Sequence, residues 1–61
     1  MKIKDLALGD LFTLKHLEEP KDCQIWIRKH YDRSSKTYCA INWDDISRER
    51  FFKGDKEVYE V

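Results

Sequence analysis

A chain of 61 residues has room for one domain, and at this size folding buries only about 60% of the surface that the unfolded chain exposes, so any core is small. Twelve Lys and Arg balance twelve Asp and Glu, which excludes both a nucleic-acid binder held by bulk positive charge and an acidic tail. Apolar runs reach only three or four residues against the roughly 20 of a membrane-spanning helix, and Met1-Lys2-Ile3-Lys4-Asp5 lacks the apolar stretch of a secretion signal, so a cytoplasmic protein is expected.

Gly9, Pro20 and Gly54 are the only Gly and Pro residues, and no repeat or Ser-rich tract marks a linker, so residues 1–61 read as one small β domain. Eight aromatics from Phe12 to Tyr59 supply most of the area that such a core can bury, at about 150–250 Å² each.

In chain order, Leu8-Gly9-Asp10 is a turn signal, and Leu11–Leu17 alternates well enough for a strand with Phe12 and Leu14 inward. Pro20-Lys21-Asp22 forms a loop. Gln24–Tyr31 and Thr37–Trp43 are rich in β-branched and aromatic residues without a helical stripe. The polar cluster Asp32-Arg33-Ser34-Ser35-Lys36 between them signals a hairpin. Two registers of that hairpin compete. A four-residue loop with Asp32 opposite Thr37 mixes polar and apolar residues on both faces. A three-residue loop with Asp32 opposite Lys36 pairs Ile25 with Trp43, Ile27 with Ile41, Lys29 with Cys39 and Tyr31 with Thr37. That second register gives one largely apolar face, and it is the one expected to line the core, with Ile27 and Ile41 facing each other inside. Asp44–Arg50 has the residues to start a capped helix, but Ile46, Phe51 and Phe52 make no clean helical stripe. A turn or single helical turn at 44–47 is preferred, then a strand near 49–53, a Lys53–Lys56 turn and a last strand near 57–61. The fold class is all-β: five short strands in a small SH3-like barrel or a curled antiparallel sheet.

Leu6-Ala7-Leu8-Gly9-Asp10-Leu11-Phe12 looks like the first-strand entry of SH3-like small barrels. Together with Gln24–Arg28, Tyr31–Tyr38 and Glu49–Asp55, it resembles a family of short bacterial proteins of uncharacterised function, found in genomes and mobile elements of gut bacteria. The resemblance implies fold class and compartment, and no activity or site residue. SH3-like barrels host peptide binding, nucleic-acid binding and purely structural roles alike.

The preferred register leaves Trp26, Arg28, His30 and Tyr38 on the face away from the apolar pairs, with Arg33 and Lys36 beside them in the loop. Residues 21–40 carry five Lys and Arg against two Asp and Glu. Flat aromatic faces among cations suit base stacking or a peptide groove. The alternative, and the commoner arrangement in so small a domain, is that Trp26 closes one end of the core with Arg28 stacked on it. His16, Cys23, His30 and Cys39 match zinc by residue type but lie seven, seven and nine positions apart, unlike the close ligand pairs of structural zinc sites. No metal or cofactor is expected, and both cysteines are expected as free thiols. No nucleophile, base and orienting acid form a set, so no enzyme is expected. The expected function is a small non-catalytic module that binds a protein or peptide, the alternative is weak single-stranded nucleic-acid binding across the aromatic and basic hairpin face, and a third reading is a subunit of a larger assembly.

Overall fold

Trp26, Ile27 and Tyr31 in one run, and Thr37, Tyr38 and Ile41 in the next, are residue types whose branched or aromatic side chains pack on a pleated surface. The computed structural model, which describes residues 1–61, shows them as the two central strands of one antiparallel sheet. The strands are β1 (Leu11–Thr13), β2 (Trp26–Asp32), β3 (Thr37–Asn42), β4 (Glu49–Lys53) and β5 (Tyr59–Glu60), in the spatial order β4-β3-β2-β1-β5. The edges β4 and β5 do not pair, so the sheet is not a closed barrel. It is nevertheless curled. Two strands separate β1 from β4, which puts them roughly 14 Å apart in a flat sheet. The rings of Phe12 and Phe52 still meet edge to face, with centroids 6.4 Å apart.

Short 3₁₀ turns occupy Ile3–Asp5 and Asp22–Gln24, ahead of β1 and β2 respectively. The first strand ends well before Leu17, because the Thr13 hydroxyl donates to the Lys15 carbonyl at 2.6 Å and turns the chain. At 44–47 there is no helix. The Asp45 carboxylate accepts both the backbone N–H (3.0 Å) and the hydroxyl (2.6 Å) of Ser47, and Arg48 N–H donates to the Asp45 carbonyl at 3.0 Å. The acid that would have capped a helix closes a tight turn instead.

The central hairpin uses both registers. Near its base Trp26 pairs with Asn42, Ile27 with Ile41 and Arg28 with Ala40, as expected. Near its tip Tyr31 pairs with Tyr38 and Asp32 with Thr37, the pairing of the four-residue loop. A bulge between Arg28 and Tyr31 absorbs the extra residue. The Asp32 carboxylate stabilises the loop by accepting the N–H (2.9 Å) and hydroxyl (2.7 Å) of Ser34.

The faces of this hairpin are largely the reverse of expectation, although Ile25 and Cys39 of the expected core face are buried. Ile3, Leu6, Phe12, Trp26, Ala40 and Val58 form the buried cluster, with Leu14, Tyr38 and Phe52 packed against it. Ile27 and Ile41 do face each other, but they lie half-buried on the opposite face, and Trp43 is exposed. The cause lies outside the hairpin. The first 3₁₀ turn and residues 54–58 fold over the Trp26 side, joined by Ile3 N–H to Lys56 O (3.0 Å) and Val58 N–H to Met1 O (2.9 Å). Glu57 clasps the same strap, its carboxylate 2.7 Å from the Met1 ammonium and 3.4 Å from Lys2 Nζ. Gly54 permits a close approach there: a Cβ would sit 3.2 Å from the Tyr38 ring, tighter than an ordinary contact.

Candidate functional site

Of the residues expected to form an aromatic and basic platform, Trp26 is buried and belongs to the core, so the open four-residue cluster does not exist. Arg28 and Tyr38 remain together. The Arg28 guanidinium lies 4.6 Å over the Tyr38 ring, and Tyr31, which the bulge brings to the same face, packs on Tyr38 at 4.7 Å. Arg28 Nε is buried there without a hydrogen-bond partner. His30 is exposed on the bulged stretch, and Arg33 and Lys36 are exposed in the hairpin loop.

Trp26 instead lies at one side of an open groove of about 260 Å³. Leu14, Leu17, Cys23 and Gln24 line it together with Trp26, and Lys15, Arg48 and Arg50 bring three cations to it. The guanidinium carbons of Arg48 and Arg50 stand 5.9 and 5.7 Å from the centre of the Trp26 ring, within cation–π range. No Asp or Glu lines the groove, in a chain where acids equal bases overall. The ladder explains the placement of Arg50, which pairs with Ala40, a side chain too small to fill the space beside Trp26.

Asn42 ties the walls together. Fully buried, it donates from Nδ2 to the Cys23 carbonyl (2.9 Å), while Oδ1 accepts the N–H groups of Asp44 (3.0 Å) and Asp45 (3.1 Å). One side chain thus anchors both the Cys23 lining of the groove and the turn that leads into Arg48 and Arg50. A buried amide with three satisfied hydrogen bonds holds such a junction firmly, because each partner would otherwise be desolvated and unpaired.

The remaining chemistry-bearing side chains are dispersed. Cys39 is buried in β3, and desolvation, reinforced by hydrogen bonding to Glu49, pushes its thiol up to about 11. Cys23 is exposed, and the His16 ring packs edge-on against Tyr59 at 5.7 Å. No three His, Cys, Asp or Glu side chains converge. No protein-family model, curated protein or solved structure matches the chain.

Lys15, Arg48 and Arg50 escaped sequence reasoning. The available signal was the two-residue spacing of Arg48 and Arg50, which places alternate side chains of a strand on one face. It becomes readable only once β4 is known to run beside Ala40.

Proposed function

We propose that the protein is a non-catalytic, cofactor-free cytoplasmic module that holds a short acidic peptide segment of a protein partner in the groove beside Trp26. The observation that carries this reading is the convergence of Lys15, Arg48 and Arg50 on a partly apolar groove without any carboxylate. Arg forks match carboxylates in a planar, paired geometry, and the half-buried Leu14 and Leu17 side chains suit an adjacent aliphatic side chain. The volume lies just under the roughly 300–1,000 Å³ of small-molecule pockets, a size for one or two side chains. Base stacking is less well served, because Trp26 is only 5% exposed and Arg28 already occupies Tyr38.

The test is a titration followed by backbone amide shifts, using a blocked Leu-Asp-Glu-Leu peptide, its Leu-Lys-Lys-Leu counterpart and a thymidine oligonucleotide. The acidic peptide should shift residues 14–17, 26 and 48–50. An Arg48→Ala/Arg50→Ala variant should weaken it about tenfold or more, as expected for lost charge-assisted hydrogen bonds. Silence with the acidic peptide at millimolar concentration would remove the proposal. Oligonucleotide binding that collapses steeply with added salt would replace it by the nucleic-acid reading.

A further inference from the structure

Strand β4 pairs with β3 along one side and has nothing along the other. Asn42 N–H donates to Arg48 O across the β3–β4 ladder, and antiparallel bonding alternates by residue. The Arg48 carbonyl and the backbone groups of Arg50 and Phe52 therefore turn toward β3, whereas Glu49, Phe51 and Lys53 turn theirs to the open edge. The Lys53 carbonyl there already accepts Lys56 N–H at 3.0 Å, which leaves Glu49 and Phe51 with both outward groups free. Edges are protected by prolines, bulges, covering segments, short length or charged side chains, and of these β4 has its five-residue length and the charges of Glu49, Arg50 and Lys53. This one has an unbroken register from Glu49 to Lys53 and no proline, and every residue in it except Phe52 is exposed.

The order of residues along that edge is self-complementary. If a second copy runs antiparallel about a two-fold axis at Phe51, Glu49 faces the second copy's Lys53, Phe51 faces its own counterpart, and Lys53 faces the second copy's Glu49. All three side chains lie on one face of the sheet, and all three belong to residues whose backbone groups point outward. Within the chain neither Glu49 nor Lys53 has an ion-pair partner, since the ion pairs are those of Glu57 with Met1 and Lys2. Phe51 is 52% exposed at the centre. Opposite charges and paired aromatics directly across a ladder are the contacts that stabilise neighbouring strands.

We propose that two copies of this chain associate through β4, edge to edge about Phe51, into one continuous antiparallel sheet. The isologous arrangement closes on itself and does not propagate. Five residues on each side place the interface at the small end of specific contacts, so the dimer is reversible and concentration-dependent. Glu49, Phe51 and Lys53 lie on the face opposite to Arg50 and the groove beside Trp26.

Sedimentation velocity across a concentration series, paired with amide hydrogen exchange, tests the proposal. The wild type should dimerise, and the Phe51 N–H should exchange more slowly as concentration rises. Glu49→Lys alone and Lys53→Glu alone each set like charges opposite one another twice, and each should weaken the dimer roughly tenfold or more. A one-to-one mixture of these two variants restores both opposite-charge pairs and should recover a heterodimer. So should the doubly exchanged Glu49→Lys/Lys53→Glu chain with itself. Far-ultraviolet circular dichroism of each variant separates loss of folding from loss of pairing. A wild type that stays monomeric at millimolar concentration overturns the proposal, as does a dimer indifferent to the charge exchanges. Concentration-independent Phe51 exchange beside a real dimer would move the interface elsewhere, and would equally overturn it.

Discussion

Strands β1, β2 and β3 present Phe12, Trp26 and Ala40 on one face and Leu11, Ile27 and Ile41 on the other, yet only the first of these sets is fully buried. Both faces are apolar enough to be a core. What separates them is the strap formed by the first 3₁₀ turn and residues 54–58, which lays Ile3, Leu6 and Val58 on the Trp26 side. In a chain this small there is apolar material to cover one face, and the segments most remote in sequence decide which. The uncovered face is left partly exposed and ends at the open β4 edge.

The largest effect that should follow is on stability. Phe12→Ala removes a fully buried ring from the covered side and should cost about 3–5 kcal/mol, a large part of what such a domain has. Ile27→Ala, on the half-buried side, should cost about 1 kcal/mol, below the range for fully buried positions. Urea denaturation measures both, and equal losses would mean that the two faces are equally buried in solution.

A smaller contrast concerns the thiols. At pH 8 Cys23 should react readily with a thiol reagent, whereas Cys39, buried and with its thiol pushed up to about 11, should react only as the chain opens. Labelling followed by intact mass should show one modification in the native protein and two in urea. Two modifications at native rates would show that the uncovered face admits solvent down to β3.

The smallest effect is on the strap. The hydrogen bond from the Met1 ammonium holds the Glu57 carboxyl below its ordinary 4.5, with Lys2 adding to the shift, so the folded state binds that proton less readily than the unfolded one. The stabilisation is complete above 4.5 and is lost as pH falls through the lowered folded value. Glu57→Gln should therefore lower neutral stability slightly, because the pair is exposed, and flatten the acid limb of the stability curve by the same small amount. The Asp32 and Asp45 carboxyls, lowered mainly by their serine hydrogen bonds, contribute to the acid limb in the same direction. An acid limb unaltered by Glu57→Gln would show the clasp to be open in solution.

Local patterning made the strands legible. Glu49–Lys53 coincides with its expected span, and the hairpin loop lies where Asp32, Ser34 and Ser35 signalled it. The faces were harder to read, for a reason that one residue illustrates. Counting apolar pairs favoured Ile27 and Ile41, but the largest apolar side chain of the hairpin, Trp26, goes wherever Ile3 and Val58 can cover it, and nothing in the hairpin reports their position. The bulge is likewise invisible, because a single register must choose between base and tip while the chain satisfies both. Of the two readings of Trp26, a contact residue or a closure of the core, the structure bears out the second, on the face that the apolar pairs were expected to leave open. The groove cations followed it out of view, since Arg48 and Arg50 gain meaning only beside its ring.

The strap also bears on the order in which the molecule can be made. Strands β2, β3 and β4 follow one another and pair in sequence, so they need only short loops to close. The buried cluster, by contrast, requires Ile3 to meet Val58 from nearly the opposite end of the chain. In folding, the three-stranded piece can pair and still lack a core, with Trp26 uncovered until Ile3 and Val58 close over it. Folding to the native state is then gated by one long-range closure, and the chain is most open to unwanted association before that closure is made.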